Sequence, residues 1–479
     1  MSKQPISKKI GLCLGPILFA SIQFFEISSM SSSANTVIAV ALWMVIWWIT
    51  EAVSISVTAL LPLLLFPLFK IMPMADVGAN YGSPIVFLFF GGFVLALALE
   101  KVNLHKRIAL TIVKLTGTSP NRVILGFMIA TAFMSMWISN TASTVVMLPI
   151  AMSVIGLLIK DDDGFTKADK NFSLCVMLGI AFSANAGGIA TVIGTPPNSV
   201  LIGLLENEYN TQISFADWLS FGLPFSILLI TVVYIVLVKF LFPCKELNFG
   251  TSATVISDEL KKLGKLSSRE KQVMVIFSIV VTLWIFRSLI KQLIPNLKLS
   301  DTMISVFGAI ALFTIPHNLK KGDFILDWKD TSNLAWGILI LFGGGLALAK
   351  GMSASGIVDV VSQTISQAKI SVLFTAALLI ILMLFMTELM SNVALTAVLA
   401  PVVAGIAIGL DIPMIHLLIP VTIASSCAFM LPMATPPNAI VFASGYIKVH
   451  QMAKAGIILN LISVLLLVLL FKLVMPAIF

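Results

Sequence analysis

The chain has 479 residues, 58% of them hydrophobic and 11% charged, with a net charge of +8. A soluble domain carries about 25% charged residues; here mean hydropathy is +1.05, and the one long polar stretch, Cys244–Lys271, is too short to fold alone. These figures exclude a soluble multidomain chain, and basic residues scattered over short loops between apolar runs exclude a nucleic-acid-binding stripe.

In chain order, the start MSKQPISKKIGLCLGPILFA joins a basic head to an apolar run. It lacks a small-x-small cleavage site and reads as a retained first helix rather than a signal peptide. Apolar runs long enough to cross a hydrocarbon core of about 30 Å then recur. The expected spans are 11–28, 36–51, 53–69, 81–100, 171–207 (broken), 218–241, 271–290, 299–316, 332–350, 413–445 (broken) and 453–478. Two further apolar regions, 122–159 and 370–409, each carry a polar tripeptide near the middle and read as hairpins that enter and leave by one side. The expected fold is an all-α polytopic membrane protein of about eleven transmembrane helices plus two re-entrant helical hairpins in two inverted repeats.

Charge orients this arrangement. Of 30 Lys and Arg, 23 fall in 1–10, 101–122, 160–170, 239–271, 320–329 and 448–454; the other seven are Lys70, Arg287, Lys291, Lys298, Lys350, Lys369 and Lys472. Cytoplasmic loops are enriched in such residues, so the N-terminus is expected in the cytoplasm and the C-terminus outside a cell (inner) membrane. The cysteines Cys13, Cys175, Cys244 and Cys427 lie far apart in sequence, without metal-ligand spacing and with nothing that demands a disulfide.

The halves echo each other. Phe90-Gly91-Gly92 recurs as Phe342-Gly343-Gly344 and Ser139-Asn140-Thr141 as Ser391-Asn392-Val393, both at a shift of 252, while Thr195-Pro196-Pro197-Asn198 recurs as Thr435-Pro436-Pro437-Asn438 at a shift of 240. The expected division is an N-terminal segment and first helix over 1–34, a first repeat over 35–242, a cytoplasmic linker over 243–270 and a second repeat over 271–479. Five spans per repeat, an odd number, insert the second upside down, an organisation of secondary transporters whose sites lie near the midplane on broken helices.

The repeated motifs carry the chemistry. An unpaired backbone group in hydrocarbon costs several kcal/mol, so a polar break inside an apolar helix must be buried in protein or line a wet cavity. Ser and Asn at such a break can cap the next helix, their oxygens and the freed carbonyls suit a hard cation such as sodium, and the new helix N-terminus suits an anion. The paired prolines remove donors and break the helix, so carbonyls upstream of Thr195 and Thr435 are expected to face a bound species. No Lys, Arg or His lies near the four motifs. A dianion there must therefore be held by dipoles, amides, hydroxyls and bound cations, which favours sodium coupling. Glu388, beside Thr387 in the second hairpin and matched by Met136 in the first, reads either as a proton relay or as a hydrogen-bonding brace of the hairpin. His105, His317, His416 and His450 fall in loops or at helix ends.

At these residues the chain resembles the divalent anion:sodium symporters, over roughly residues 35–478. Ser425-Ser426-Cys427-Ala428-Phe429-Met430-Leu431-Pro432-Met433-Ala434-Thr435-Pro436-Pro437-Asn438-Ala439-Ile440-Val441 looks like the family signature, and Trp47-Trp48-Ile49-Thr50-Glu51-Ala52 like its early helix. The resemblance implies that each Ser-Asn-Thr motif sits at a hairpin tip and each Thr-Pro-Pro in a helix break. It implies one sodium site at Ser135, Ser139, Asn140 and Gly194 and another at Thr387, Ser391, Asn392 and Ala434. Substrate would meet Asn140, Thr141, Thr195, Pro196, Asn392, Val393, Thr435 and Pro436, with Val393 standing where the family pattern has a threonine hydroxyl. It further implies a homodimer, co-transported sodium with no organic cofactor, and an elevator-type importer of a divalent anion, a C4-dicarboxylate such as succinate or malate. The alternatives are a sodium-independent dicarboxylate or citrate exchanger and a sulfate symporter. No enzyme is expected: no span holds a paired Asp, a serine–base pair or an HExxH motif. A channel, commonly gated by rings from several subunits, fits a site built within one chain less well.

Overall fold

A computed structural model describes residues 6–25, 30–117, 119–158, 166–244, 252–318, 322–368 and 370–478. Lys245 and Lys369, and parts of the expected inside segments 1–10, 160–170 and 320–329, lie outside the described residues. The chain is helical almost throughout: α1 (Ile6–Phe24), α2 (Ser32–Thr50), α3 (Ile55–Thr58), α4 (Leu61–Leu68), α5 (Met74–Tyr81), α6 (Pro84–Lys101), α7 (Leu104–Thr116), α8 (Pro120–Ser135), α9 (Asn140–Leu158), α10 (Lys167–Gly188), α11 (Pro196–Tyr209), α12 (Phe215–Ile235), α13 (Ser252–Lys262), α14 (Ser268–Leu293), α15 (Asp301–Thr314), α16 (Trp336–Ala354), α17 (Ile357–Ala368), α18 (Val372–Thr387), α19 (Asn392–Gly409), α20 (Met414–Ser426), α21 (Pro436–Phe442), α22 (Val449–Leu469) and α23 (Met475–Ile478). A two-stranded antiparallel ribbon, β1 (Pro316–Asn318) with β2 (Asp323–Phe324), follows α15.

The all-α membrane architecture agrees with the hydropathy reading. Among the described residues, eight helical segments have the length and composition to cross a membrane: Ser32–Thr50, Met74–Lys101, Lys167–Gly188, Phe215–Leu241, Ser268–Leu293, Trp336–Ala354, Asn392–Gly409 and Val449–Ile478. Several expected spans are shorter or divided. The 53–69 run is split between α3 and α4, and α15 has 14 residues. One arm of the second hairpin, α19, itself reaches crossing length.

Local chemistry sets the helix starts. Thr166 with Asp169, Ser214 with Asp217 and Ser267 with Glu270 form reciprocal capping boxes at α10, α12 and α14. Every residue of α10 from Phe172 to Gly188 is buried, so this helix, covered on all sides, runs through the interior of the protein. By contrast only 22% of the apolar window of α14 is buried within the chain.

Two apolar cores result. The larger joins α6–α12, α14, α15 and α18–α22; the smaller joins α2–α5 with α17; α16 contributes to both. The repeated glycines sit on the seams. A Cβ on Gly91 would lie 2.6 Å from Ser305 of α15, and one on Gly92 3.4 Å from Ile193, between α10 and α11; one on Gly345 would lie 2.8 Å from Ala397 of α19. The fold also brings Cys175 and Cys244, 69 residues apart, to one acceptor, the Phe242 carbonyl, at 3.4 and 3.3 Å; both thiols are free.

Candidate functional site

Four interruptions meet in the interior: the turns Met136–Ser139 and Glu388–Ser391 between the hairpin helices, and the non-helical stretches 189–195 and 427–435. They interlock across the halves. Helix α9 packs on α10 and α21, and α19 packs on α20 and α11, so each hairpin touches a half-helix from both repeats.

At the first turn, Ser135 Oγ lies 2.7 Å from the Ala184 carbonyl and 2.6 Å from a terminal atom of the Asn140 amide. That same amide atom is 3.3 Å from the carbonyl oxygens of both Ala184 and Gly194. As NH2 it donates to all three oxygens; with the amide turned over, Oδ1 faces the same three oxygens. Gly188 makes room, since a Cβ there would stand 2.6 Å from the Asn140 side chain.

The second turn repeats the arrangement with other residues. Thr387 Oγ1 lies 2.7 Å from Asn392 Oδ1 and 2.8 Å from the Ser425 carbonyl, and Thr396 Oγ1 lies 2.8 Å from the Asn392 carbonyl and 3.2 Å from Ser425 Oγ. In the second cluster, and in the first when the Asn140 amide presents Oδ1, one hydroxyl proton serves two acceptor oxygens. Oxygens gathered in excess of protons are the donor set of a hard cation.

The expected residues divide. Ser135, Asn140 and Gly194 come together, as do Thr387 and Asn392. Ser139 does not join its cluster; it is exposed, and its Oγ accepts from Ala142 N at 3.1 Å as a helix cap. Ser391 is the N-cap of α19 without a side-chain cap bond, and among the described residues no hydrogen bond ties Ala434 to Thr387 or Asn392; its N–H donates to Leu431 O. The carbonyls of Ala184 and Ser425, which join the clusters, were not singled out in the sequence because a backbone carbonyl leaves no side-chain signature.

Of the expected substrate residues, Thr141 and Pro436 are exposed, Asn140, Pro196, Asn392 and Val393 are half-buried, and Thr195 and Thr435 are buried. Val393 packs among apolar side chains of both cores, which accounts for an aliphatic residue opposite Thr141. The Thr435 hydroxyl accepts from Asn185 Nδ2 at 3.1 Å, and the same amide reaches the Ala428 carbonyl at 3.2 Å. Asn185, the lone amide in the apolar length of α10, was legible as a polar interruption but received no role.

One expectation is corrected. The carbonyls upstream of the proline pairs do not all face a bound species. Asn198 Nδ2 donates to the carbonyls of Gly188, Ile189 and Thr191, and Asn438 Nδ2 to those of Ala428 and Leu431. Trp218, Ser226 and Ser199 take the carbonyls of Ile189, Ala186 and Val192. The asparagine closing each Thr-Pro-Pro-Asn motif therefore holds its break open, because a freed carbonyl buried in protein needs a donor.

Glu388 is 3% exposed and braces the second break. Its Oε1 accepts from Phe429 N (2.8 Å), Met430 N (3.0 Å) and Asn460 Nδ2 (2.7 Å), and its Oε2 from Leu431 N (3.1 Å). With four donors on one carboxylate, bracing is the role the geometry carries. A cavity of about 340 Å³ near Arg287, Lys291 and Lys298 reaches the first break only at Val192, so it is separate from the oxygen clusters.

Comparison with known proteins completes the picture. The family model described as "Sodium:sulfate symporter transmembrane region" matches residues 12–478. A protein of Staphylococcus saprophyticus named "Sodium-dependent dicarboxylate transporter SdcS" is 39% identical over 98% of this chain and 92% of its own length. One of the same name from Staphylococcus aureus is 40% identical over 99% and 93%. Among solved structures, the YdaH transporter of Alcanivorax borkumensis aligns at a TM-score of 0.58 and 12% identity over 84% of this chain and 88% of its own, and MtrF of Neisseria gonorrhoeae at 0.50 and 12% over 84% and 83%. At that identity these two bear on the fold alone.

Proposed function

The chain belongs to the divalent anion:sodium symporter family, as a multi-pass membrane transporter and not an enzyme, and from that premise we propose that it imports a C4-dicarboxylate such as succinate or malate together with sodium. The observation that carries this reading is the pair of matched oxygen clusters, Ser135–Asn140–Ala184–Gly194 and Thr387–Asn392–Ser425, set at the turns of two hairpins. The names of its relatives supply the substrate class.

Charge bookkeeping explains the coupling. Between Lys170 and Glu206 and between Asp411 and Lys448 the chain has no Asp, Glu, Lys or Arg, and no basic residue lies in the hairpins between Arg122 and Lys160 or beyond Lys369 up to Lys448. A buried dianion without compensation costs several kcal/mol at least; two sodium ions at the clusters supply it locally. The anion then sits among Asn140, Thr141, Asn392, Thr195 and Thr435 and the N-termini of α9 and α19. Linkage requires sodium to raise substrate affinity and substrate to raise sodium affinity equally.

For the movement we propose an elevator, with the hairpins and broken helices carrying the site past the remaining helices and two chains paired as a homodimer. Gly92 and Gly345 support it: each presents a side-chain-free surface to a site element, Ile193 and Ala397 respectively, which permits close helix approach. The deciding experiment is equilibrium binding of succinate to purified protein across a sodium titration at constant ionic strength, with choline as replacement. Affinity should climb with sodium; a flat response would reject symport in favour of exchange.

A further inference from the structure

The two cation clusters are alike in their oxygens and unlike in their surroundings. In the buried reaches of the four interrupted segments, Glu388 is the one residue of Asp, Glu, Lys or Arg type. Its counterpart in the first hairpin is Met136, whose carbonyl takes a hydrogen bond from Thr191 Oγ1 at 2.6 Å. The first break is thus held by neutral groups, Asn198, Ser199, Trp218 and Ser226, and the second by a carboxylate.

That carboxylate does two things at once. In a trans peptide the N–H and the C=O of one plane point in opposite directions. Drawing the amides of Phe429, Met430 and Leu431 toward Glu388 therefore turns the carbonyls of Ala428, Phe429 and Met430 away from it. The Ala428 carbonyl meets Asn185 Nδ2 at 3.2 Å and Asn438 Nδ2 at 3.1 Å, which fixes the stretch between Ser425 and Thr435. Glu388 also adjoins the second cluster along the chain. Thr387, which supplies its hydroxyl, is the adjoining residue, about 3.8 Å away at Cα, and Ser425, which supplies its carbonyl, lies four residues before Phe429. A carboxylate on a residue adjoining the cluster, in buried surroundings that screen poorly, favours a cation there.

Building on the symport reading, we propose that Glu388 makes the two sodium sites unequal, so that the Thr387–Asn392–Ser425 site fills first and more tightly and the Ser135–Asn140–Gly194 site fills second. The first sodium neutralises the field of Glu388, and only then is the region between the hairpins hospitable to a dianion. Glu388 acts here as a positioning and electrostatic residue that touches neither sodium nor substrate.

Substitution at this position separates charge from shape. In Glu388→Gln, the amide Oε1 still accepts from Phe429 N, Met430 N and Asn460 Nδ2, and only the bond from Leu431 N is lost, while the charge disappears. Glu388→Asp keeps the charge and shortens the reach. The test is equilibrium binding of radioactive sodium to purified protein without substrate, on the wild type and on Glu388→Gln, Glu388→Asp, Ser135→Ala and Thr387→Val, with size-exclusion profiles to verify folding. The wild type should bind sodium in two steps at least tenfold apart. Thr387→Val should remove the tighter step and Ser135→Ala the weaker. Glu388→Gln should weaken the tighter step at least tenfold and leave the weaker within twofold, and Glu388→Asp should retain two separated steps. A single class of sites in the wild type, loss of the tighter step in Ser135→Ala, or an equal shift of both steps in Glu388→Gln would overturn the proposal. Should Glu388→Gln fail to fold, the wild-type isotherm and the two site variants still decide it. Absence of any sodium binding in the wild type would instead reject the symport reading, and this inference with it.

Discussion

Asn185 of α10 donates through Nδ2 to the hydroxyl of Thr435, 250 residues later, at 3.1 Å. This bond ties the break of one repeat to the motif of the other. Movement of either broken helix alone would strip the buried Asn185 amide of its partner, at about 1–3 kcal/mol. The bond therefore couples the two breaks energetically. Asn185→Ala should lower the melting temperature of purified protein by several degrees and reduce maximal uptake more than it changes the half-saturating substrate concentration. Thermal unfolding and initial-rate uptake in vesicles measure both, and an unchanged melting temperature would show that the bond contributes nothing.

Removing the amide from either turn should abolish sodium-driven uptake. Asn140→Ala deletes the group that joins Ser135, Ala184 and Gly194, and Asn392→Ala deletes the partner of Thr387. Each change also leaves a buried hydroxyl short of one partner. Uptake of labelled succinate into vesicles under a sodium gradient is the measurement; near-normal rates and near-normal sodium dependence in both variants would sink the assignment of these clusters.

A single methyl group probes the first cluster from behind. The Cβ introduced by Gly188→Ala would meet the Asn140 side chain at 2.6 Å, the Gly194 carbonyl at 3.1 Å and Thr195 Cβ at 3.2 Å. Two of these three are cluster groups, and overpacking of a well-packed interior costs about 1–3 kcal/mol. The variant should need at least tenfold more sodium for half-maximal uptake. The alanine substitution at Gly78, where an added Cβ meets nothing within 4 Å, serves as the control and should transport normally.

The orientation is testable at the linker. Helix α13 packs on α7 and α9, and Lys106 pairs with Glu259 at 3.2 Å while Arg107 pairs with Glu270 at 2.6 Å. On the proposed orientation, read from the charge distribution, this assembly is cytoplasmic. Single cysteines at Asp258 or Lys261, both exposed on α13 by their side chains, should resist an impermeant thiol reagent in intact cells and react after permeabilisation. Ready labelling in intact cells would invert the topology.

The sequence by itself determined the class of molecule, because hydropathy and charge are summed along the chain and need no partner. It also placed the four interruptions, since Ser-Asn at a polar break and Pro-Pro inside an apolar run act on their own backbone within a turn. The capping boxes at Thr166, Ser214 and Ser267 were equally local. Tertiary structure alone decided which oxygens gather. Ala184 and Ser425 contribute carbonyls, which every residue has, and only packing selects two of them. It moved Ser139 out of the cluster to cap α9, and it gave Asn198 and Asn438 the task of holding the breaks. It also decided the role of Glu388, whose four donors come from residues 41 to 72 positions away. A carboxylate in an apolar helix can be read from the sequence as a conflict; what resolves it is the direction of three backbone amides, which only the folded chain fixes.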